Sequence, residues 1–197
     1  MKEREMKAVC VYSASSTKIK PLYNKVAQEL GHLIAKQQLT LINGGGNLGL
    51  MRTVIDAVME KGGKTVGVIP TFMVEQNWHH PAMSELVTVE NMHLRKEKMA
   101  ALSDGVIALP GGCGTLEELL EIITWKQLGL YLHPIVILNI DHYFDPLLEM
   151  LAKATEEHFM RAEHTAIWRV AETPKAAIEL LYTTAEWDVN LRKFAAI

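Results

Sequence analysis

The run Gly105-Val106-Ile107-Ala108-Leu109-Pro110-Gly111-Gly112-Cys113-Gly114-Thr115-Leu116-Glu117-Glu118 decides the fold. Its apolar part, 105–109, stops at a proline, three glycines follow within four positions, and a helical pattern opens with two carboxylates in its first turn. Strand, glycine turn and helix in immediate succession are the repeating unit of a parallel α/β sheet. The same arrangement is a phosphate cradle, because exposed N–H groups and the positive end of the helix dipole both favour an anion. Glu117 and Glu118 stand where an anion would dock, so the loop does more than hold phosphate. A carboxylate beside a bound phosphate points to chemistry on the neighbouring bonds.

The alternation extends in both directions. Apolar runs suited to strands occur at 8–12, 39–43, 65–69, 86–89, 105–109 and 134–139, with a weaker one at 167–170. Helical patterns occupy 20–36, 48–61, 92–103, 116–130, 142–158 and 174–182, the last with Pro174 at its start and Thr173 as its N-cap. The strand runs are continuous rather than alternating, as expected when helices cover both faces of a parallel sheet. The expected fold is α/β, a Rossmann-like doubly wound parallel sheet of about seven strands in a single domain over 1–197. The tail 186–197, with Trp187, Leu191 and Phe194, reads as a helix packed on the body or on a second subunit.

Composition narrows the function. A net charge of −3 gives no electrostatic case for nucleic acid. The start, Met1 to Lys7, is charged and lacks the apolar core of a signal peptide, and no apolar segment reaches the roughly 18–20 residues that span a bilayer. Two cysteines, Cys10 and Cys113, make no disulfide scaffold and no CxxC pair for zinc. A cytoplasmic protein with reduced thiols, no membrane contact, no metal and no cofactor is expected.

A second glycine loop, Asn43-Gly44-Gly45-Gly46-Asn47-Leu48-Gly49-Leu50-Met51, also follows a strand and precedes a helix. It lacks the dinucleotide register and its acidic partner, and no Lys-Ser or Lys-Thr makes it a Walker loop. Phosphate binding and a tight turn with close helix–strand packing both remain open for Gly44, Gly45 and Gly46. In the first loop, Thr115 and Glu118 fit a capping box, which competes with any catalytic role for Glu118. Glu117 and Glu121 are four apart and share a helix face, leaving Glu118 about 100° away.

The stretch Asn91-Met92-His93-Leu94-Arg95-Lys96 tips the balance. With Asn91 as N-cap, Met92, Met99 and Leu102 form an inward stripe, and Arg95 falls on it. An arginine turned inward must be paired, either in a structural ion pair or at a ligand site. This helix leads into the strand carrying the 110–114 loop, so arginine, cradle and carboxylate can converge at the carboxyl ends of the strands. Cys113 reads as a small loop residue rather than a nucleophile, and the pair His79-His80 before Pro81 as a loop element rather than a metal site. His93 reads as solvated, Trp125 as core, and Ser13, Ser15 and Ser16 as helix-capping or phosphate-facing hydroxyls.

Pro110-Gly111-Gly112-Cys113-Gly114-Thr115-Leu116-Glu117-Glu118 resembles the PGGxGTxxE signature of the LONELY GUY (LOG) family, and Met92-His93-Leu94-Arg95-Lys96 resembles its MHxRK signature. The likeness runs from the first strand to about Pro146. It implies a nucleotide-binding domain and a phosphoribohydrolase that releases free base and ribose 5-phosphate from cytokinin riboside 5′-monophosphates or nucleotides such as AMP. It implies a catalytic pair, Arg95 and Glu118, with substrate contacts from Lys96, from 111–117 (Gly111, Gly112, Cys113, Gly114, Thr115 and Glu117) and from Thr124. Ser13, Gly44, Gly45, Gly46, Met92 and Pro110 complete the expected binding residues. A homodimer or larger homo-oligomer is also implied. The chain departs from the pattern at 12–16, where Tyr12-Ser13-Ala14-Ser15-Ser16 replaces a cysteine- and glycine-containing start, at Arg52, and at Cys113, where many members carry tyrosine; the stretch 74–84, with Glu75 and the His pair, aligns poorly and is expected to shape the base pocket. Two alternatives remain: a nucleotide sensor or carrier without turnover, and the lysine decarboxylase that members were often labelled.

Overall fold

The computed structural model describes residues 5–185 and Trp187. Seven strands, β1 (Ala8–Tyr12), β2 (Thr40–Asn43), β3 (Thr65–Pro70), β4 (Glu85–Val89), β5 (Val106–Ala108), β6 (Ile135–Leu138) and β7 (Trp168–Ala171), form one sheet in the order β4-β3-β2-β1-β5-β6-β7. Every pairing is parallel; Cys10 of β1, for instance, lies opposite Ile42 of β2 and Val106 of β5. The helices are α1 (Pro21–Lys36), α2 (Gly49–Glu60), α3 (Thr71–Glu75), α4 (Met92–Ala101), α5 (Cys113–Gln127), α6 (Asp145–Glu156) and α7 (Pro174–Thr183).

The continuous apolar strands are buried on both sides. Val9 and Val11 of β1 meet α1, α2 and α7, while Ala8, Cys10 and Tyr12 meet α4 and α5. All five β1 residues are buried, which explains the lack of alternation in the sequence. The doubly wound fold expected from the pattern is the one observed.

Element ends differ where backbone chemistry intervenes. The fifth helix begins at Cys113, three residues before its apolar periodicity does, with Gly112 as N-cap and no side-chain cap. The Thr115–Glu118 capping box is therefore not formed. Helix α6 begins at Asp145 because Asp141 (φ 52°) and His142 (φ 58°) take left-handed conformations. Asn91 and Thr173 cap α4 and α7 as expected, accepting from the N–H groups of Leu94 (3.0 Å) and Ala176 (3.2 Å). The short α3 has no counterpart among the expected elements. In the expected tail helix Trp187 is buried, and Leu191 and Phe194 lie outside the described residues. Among the described residues, no helix is long and apolar enough to cross a membrane.

The strand order places a site. The chain steps outward from β1 to β4, then α4 carries it back over the sheet to β5 on the other side of β1. Such a reversal opens a crevice at the carboxyl ends of the strands. Helix α4 brings Arg95 to it, and α5 brings the glycine loop.

Candidate active site

A cavity of about 590 Å³ lies over the strand ends, walled by Ser13 to Ser16, Gly44, Gly46, Arg95, Gly112, Gly114, Thr115 and Glu118, and by a segment after β3. The three glycines of the 111–114 loop do different work. A Cβ on Gly111 would lie 2.1 Å from Thr115 Oγ1, so this glycine lets Thr115 fold under the loop. Gly112 and Gly114 would carry a Cβ into open space. They leave the first N–H groups of α5, which have no intrahelical acceptor, open to an anion. The loop is braced from behind by Tyr143, whose hydroxyl donates to the Gly111 carbonyl (2.7 Å) and whose ring meets Tyr23 and Phe144 edge-on. Tyr143→Phe is expected to weaken inorganic phosphate binding about fivefold, the roughly 1 kcal/mol of one hydrogen bond, as read by calorimetric titration.

Arg95 and Glu118 are both buried, at 6% and 8% exposure, with Arg95 Nη2 3.9 Å from Glu118 Oε1. Arg95 Nε donates to the Val68 carbonyl at the end of β3 (3.1 Å), and Nη1 approaches Met92 Sδ (3.7 Å). The ion pair is loose, so each group retains hydrogen-bonding capacity for a ligand. Burial pushes the Glu118 carboxyl up to about 7; Arg95 opposes that rise and Glu117 adds to it. Beneath it, burial and then the Glu118 charge hold the Cys10 thiol well above its usual range. That rules out Cys10 as a thiolate nucleophile at neutral pH.

The second glycine loop serves the arginine. A Cβ on Gly44 would lie 1.6 Å from Arg95 Nη2 and 2.7 Å from Cζ. Gly49 (φ 60°) meets the backbone of Ala14, Ser15 and Ser16, pinning that wall. Gly44 and Gly46 line the cavity; Gly45 is buried against Gly67, 3.3 Å from where its Cβ would be. Close packing accounts for the glycines at Gly44 and Gly45, and Gly44 and Gly46 also face the cavity.

The other expected residues divide. Ser13 lines the cavity, and its buried Oγ has no hydrogen-bond partner among the described residues. Pro110 is buried behind the loop. Lys96 faces away from the cavity and binds Glu117 and Glu121 (3.1 Å). The shared face of Glu117 and Glu121 is thus real, and Glu118 is the acid left for Arg95. Met92 is 38% exposed, so the inward stripe of α4 begins at Arg95 and continues to Met99. Cys113 and Thr124 are exposed and outside the cavity wall, the Thr124 hydroxyl donating to the Leu120 carbonyl (2.8 Å). His80, expected as a plain loop residue, is buried and bonded to Asp56 (2.9 Å). Leu48, Met51 and Met73 line the cavity without having been expected to, and Asn77 and Trp78 line it from within the 74–84 stretch. The sequence signal for Asn77 and Trp78 was a 74–84 stretch that departs from the family pattern; Met73, just before it, had none.

A family model described as possible lysine decarboxylase matches residues 51–181. LOGL2 of Oryza sativa subsp. japonica, named a probable cytokinin riboside 5′-monophosphate phosphoribohydrolase, is 43% identical over 179 residues, covering 91% of this chain and 73% of that protein. LOG3 of Arabidopsis thaliana, named a cytokinin riboside 5′-monophosphate phosphoribohydrolase, is 39% identical over 181 residues, 92% of this chain and 84% of that protein. The chain belongs to the LOG family. Among solved structures, this LOG chain is similar to the molybdenum cofactor carrier protein of Chlamydomonas reinhardtii (TM-score 0.68, 21% identity, 91% of this chain and 98% of that one). It is also similar to the molybdenum cofactor binding protein of Rippkaea orientalis (TM-score 0.67, 24% identity, 88% and 94%). At such identities the likeness carries the fold alone.

Proposed function

We propose that this LOG-family chain hydrolyses the N-glycosidic bond of a nucleoside 5′-monophosphate, a cytokinin riboside 5′-monophosphate or AMP, to free base and ribose 5-phosphate. The observation that carries this reading is the buried Arg95–Glu118 pair facing the same cavity as an uncapped helix N-terminus. The N–H groups at 112–115 hold the 5′-phosphate, so binding energy at the remote end orients the ribose. As the C1′–N bond breaks, positive charge grows on the sugar. Glu118, about one and a half turns along α5, stabilises that charge and takes a proton from the attacking water. Arg95 binds phosphate or ribose hydroxyls and fixes the carboxylate. The test is release of free base from AMP and N6-isopentenyl-AMP by chromatography, with nucleosides and triphosphates as controls. A nucleotide bound tightly and never cleaved would instead make the protein a sensor or carrier.

A lysine decarboxylase reading gains no support from the cavity wall, which includes no lysine among the described residues. Lys96 is committed to Glu117 and Glu121.

The raised Glu118 pKa has two consequences of opposite sign. Turnover needs the carboxylate, so kcat/KM for AMP is expected to rise with pH through about 7 and to lose that inflection in Glu118→Gln. For stability, the folded state keeps a proton that the unfolded chain sheds above about 4.5. This contribution is fully present below that pH and falls by roughly 3 kcal/mol as pH rises through about 7. Urea midpoints of wild type and Glu118→Gln near pH 5 and near pH 8 measure it.

Homo-oligomerisation and a cytoplasmic location belong to the same proposal. Leu94, Leu120 and Leu128 on and just after α4 and α5 are exposed, apolar side chains that a second copy would cover. The two cysteines are free, which fits a reducing compartment.

A further inference from the structure

The cavity extends past the anion cradle and the Arg95–Glu118 pair into an apolar mouth that the proposed chemistry leaves unused. Leu48, Met73 and Trp78 line it, with Leu48 and Trp78 exposed by 56% and 53%. Half-exposed apolar side chains are ordinary on a surface; here they are gathered in the wall of a polar site on a backbone that is held in place. The Trp78 N–H donates to the Met73 carbonyl (3.0 Å), and the Trp78 carbonyl accepts from the Asn47 N–H (2.9 Å), which holds the Trp78 backbone against the loop that carries Leu48. Two residues on, the His80 N–H donates to the Gly45 carbonyl (2.8 Å), and its ring is bonded to Asp56. The segment 77–80 is thus stitched to the second glycine loop.

Topology gives the mouth its place along a ligand. The cradle follows β5 and the Trp78 segment follows β3, with β1 and β2 between them. Three strand spacings put them about 14 Å apart. Arg95, tied to Val68 of β3 and facing Glu118 of α5, lies between. A nucleoside monophosphate laid across the strand ends with its phosphate at α5 and its ribose over Arg95 and Glu118 carries its base to Trp78.

We infer that Trp78, with Leu48 and Met73, forms the base subsite: the indole offers a flat face against which the base stacks, and the larger purine ring gains more from it than a pyrimidine. This rests on the nucleotide reading above. Stacking needs no hydrogen-bond pattern, so the subsite reads the size and flatness of the base.

The experiment compares wild type, Trp78→Ala and Trp78→Tyr with AMP, CMP and ribose 5-phosphate. Trp78→Ala is expected to raise KM for AMP about tenfold, within the range of one base–aromatic stack, to change kcat by less than about twofold, and to narrow the preference for AMP over CMP. Inhibition by ribose 5-phosphate, which has no base, is expected to be unchanged, and Trp78→Tyr to restore most of the loss. Equal weakening of ribose 5-phosphate, or an unchanged KM for AMP, would overturn the subsite. Equilibrium binding of AMP to the same set in a Glu118→Gln background separates the two readings. Trp78-dependent binding without base release by the wild type would sink the hydrolase and keep the subsite, whereas base release with Trp78-independent binding would do the reverse.

Discussion

Glu118→Gln is expected to lower base release from AMP by about 10²–10⁴-fold, the range of a positioned acid or base, while AMP binding stays within about threefold. The substitution keeps shape and removes the negative charge that stabilises the growing sugar cation. Because the proposed phosphate grip lies elsewhere, at the N–H groups at the start of α5, affinity has little to lose. The 3.9 Å separation from Arg95 matters too, since a loose pair leaves the arginine's donors available to substrate in the variant as in the wild type. Single-turnover release and equilibrium binding, measured side by side, check the split. Full turnover in Glu118→Gln would remove the carboxylate from the mechanism.

A second large effect is expected at a residue with no side chain. Gly44→Ala places a Cβ at 1.6 Å from Arg95 Nη2, an overlap that the guanidinium must escape. A surface arginine would swing aside cheaply. This one is 6% exposed and bonded through Nε to Val68, so moving it breaks that bond and the alignment with Glu118. Turnover is expected to fall about 10²-fold, as for a reacting group displaced by an ångström. Stability is expected to fall by about 3 kcal/mol, the low end for breaking a buried charge pair. A double-mutant cycle isolates the cause: in an Arg95→Ala background, Gly44→Ala should add almost nothing to the loss of turnover. Additive losses would show that Gly44 acts by some other route.

Gly44 also marks the limit of what the sequence revealed. Strand positions were legible because β1, β5 and β6 are uninterrupted apolar runs, the pattern of a sheet covered on both sides. The inward turn of Arg95 followed from helical spacing, as did the separation of Glu118 from Glu117 and Glu121. Glycines carry no periodic signal, so the true start of α5 at Cys113 was hidden within the 111–114 loop. Nothing in the spacing of Gly44, Gly45 and Gly46 distinguishes a turn that binds a ligand from one that clears space for an arginine fifty residues on. Helix α3, of five residues, is too short to show periodicity, so the 74–84 stretch could be read only as a departure from the family pattern, without its individual wall residues.

The ion pairs that Arg95 and Lys96 of α4 make with α5 have a consequence for insertions and deletions. Consecutive residues of one helix answer consecutive residues of the other: Lys96 holds Glu117 while Arg95 faces Glu118. Slipping α5 by one position would present Glu117 to the guanidinium and strand an acid against hydrocarbon. The outer pair therefore acts as a registration key, penalising every misthreading of the glycine loop before it could reach the reactive centre.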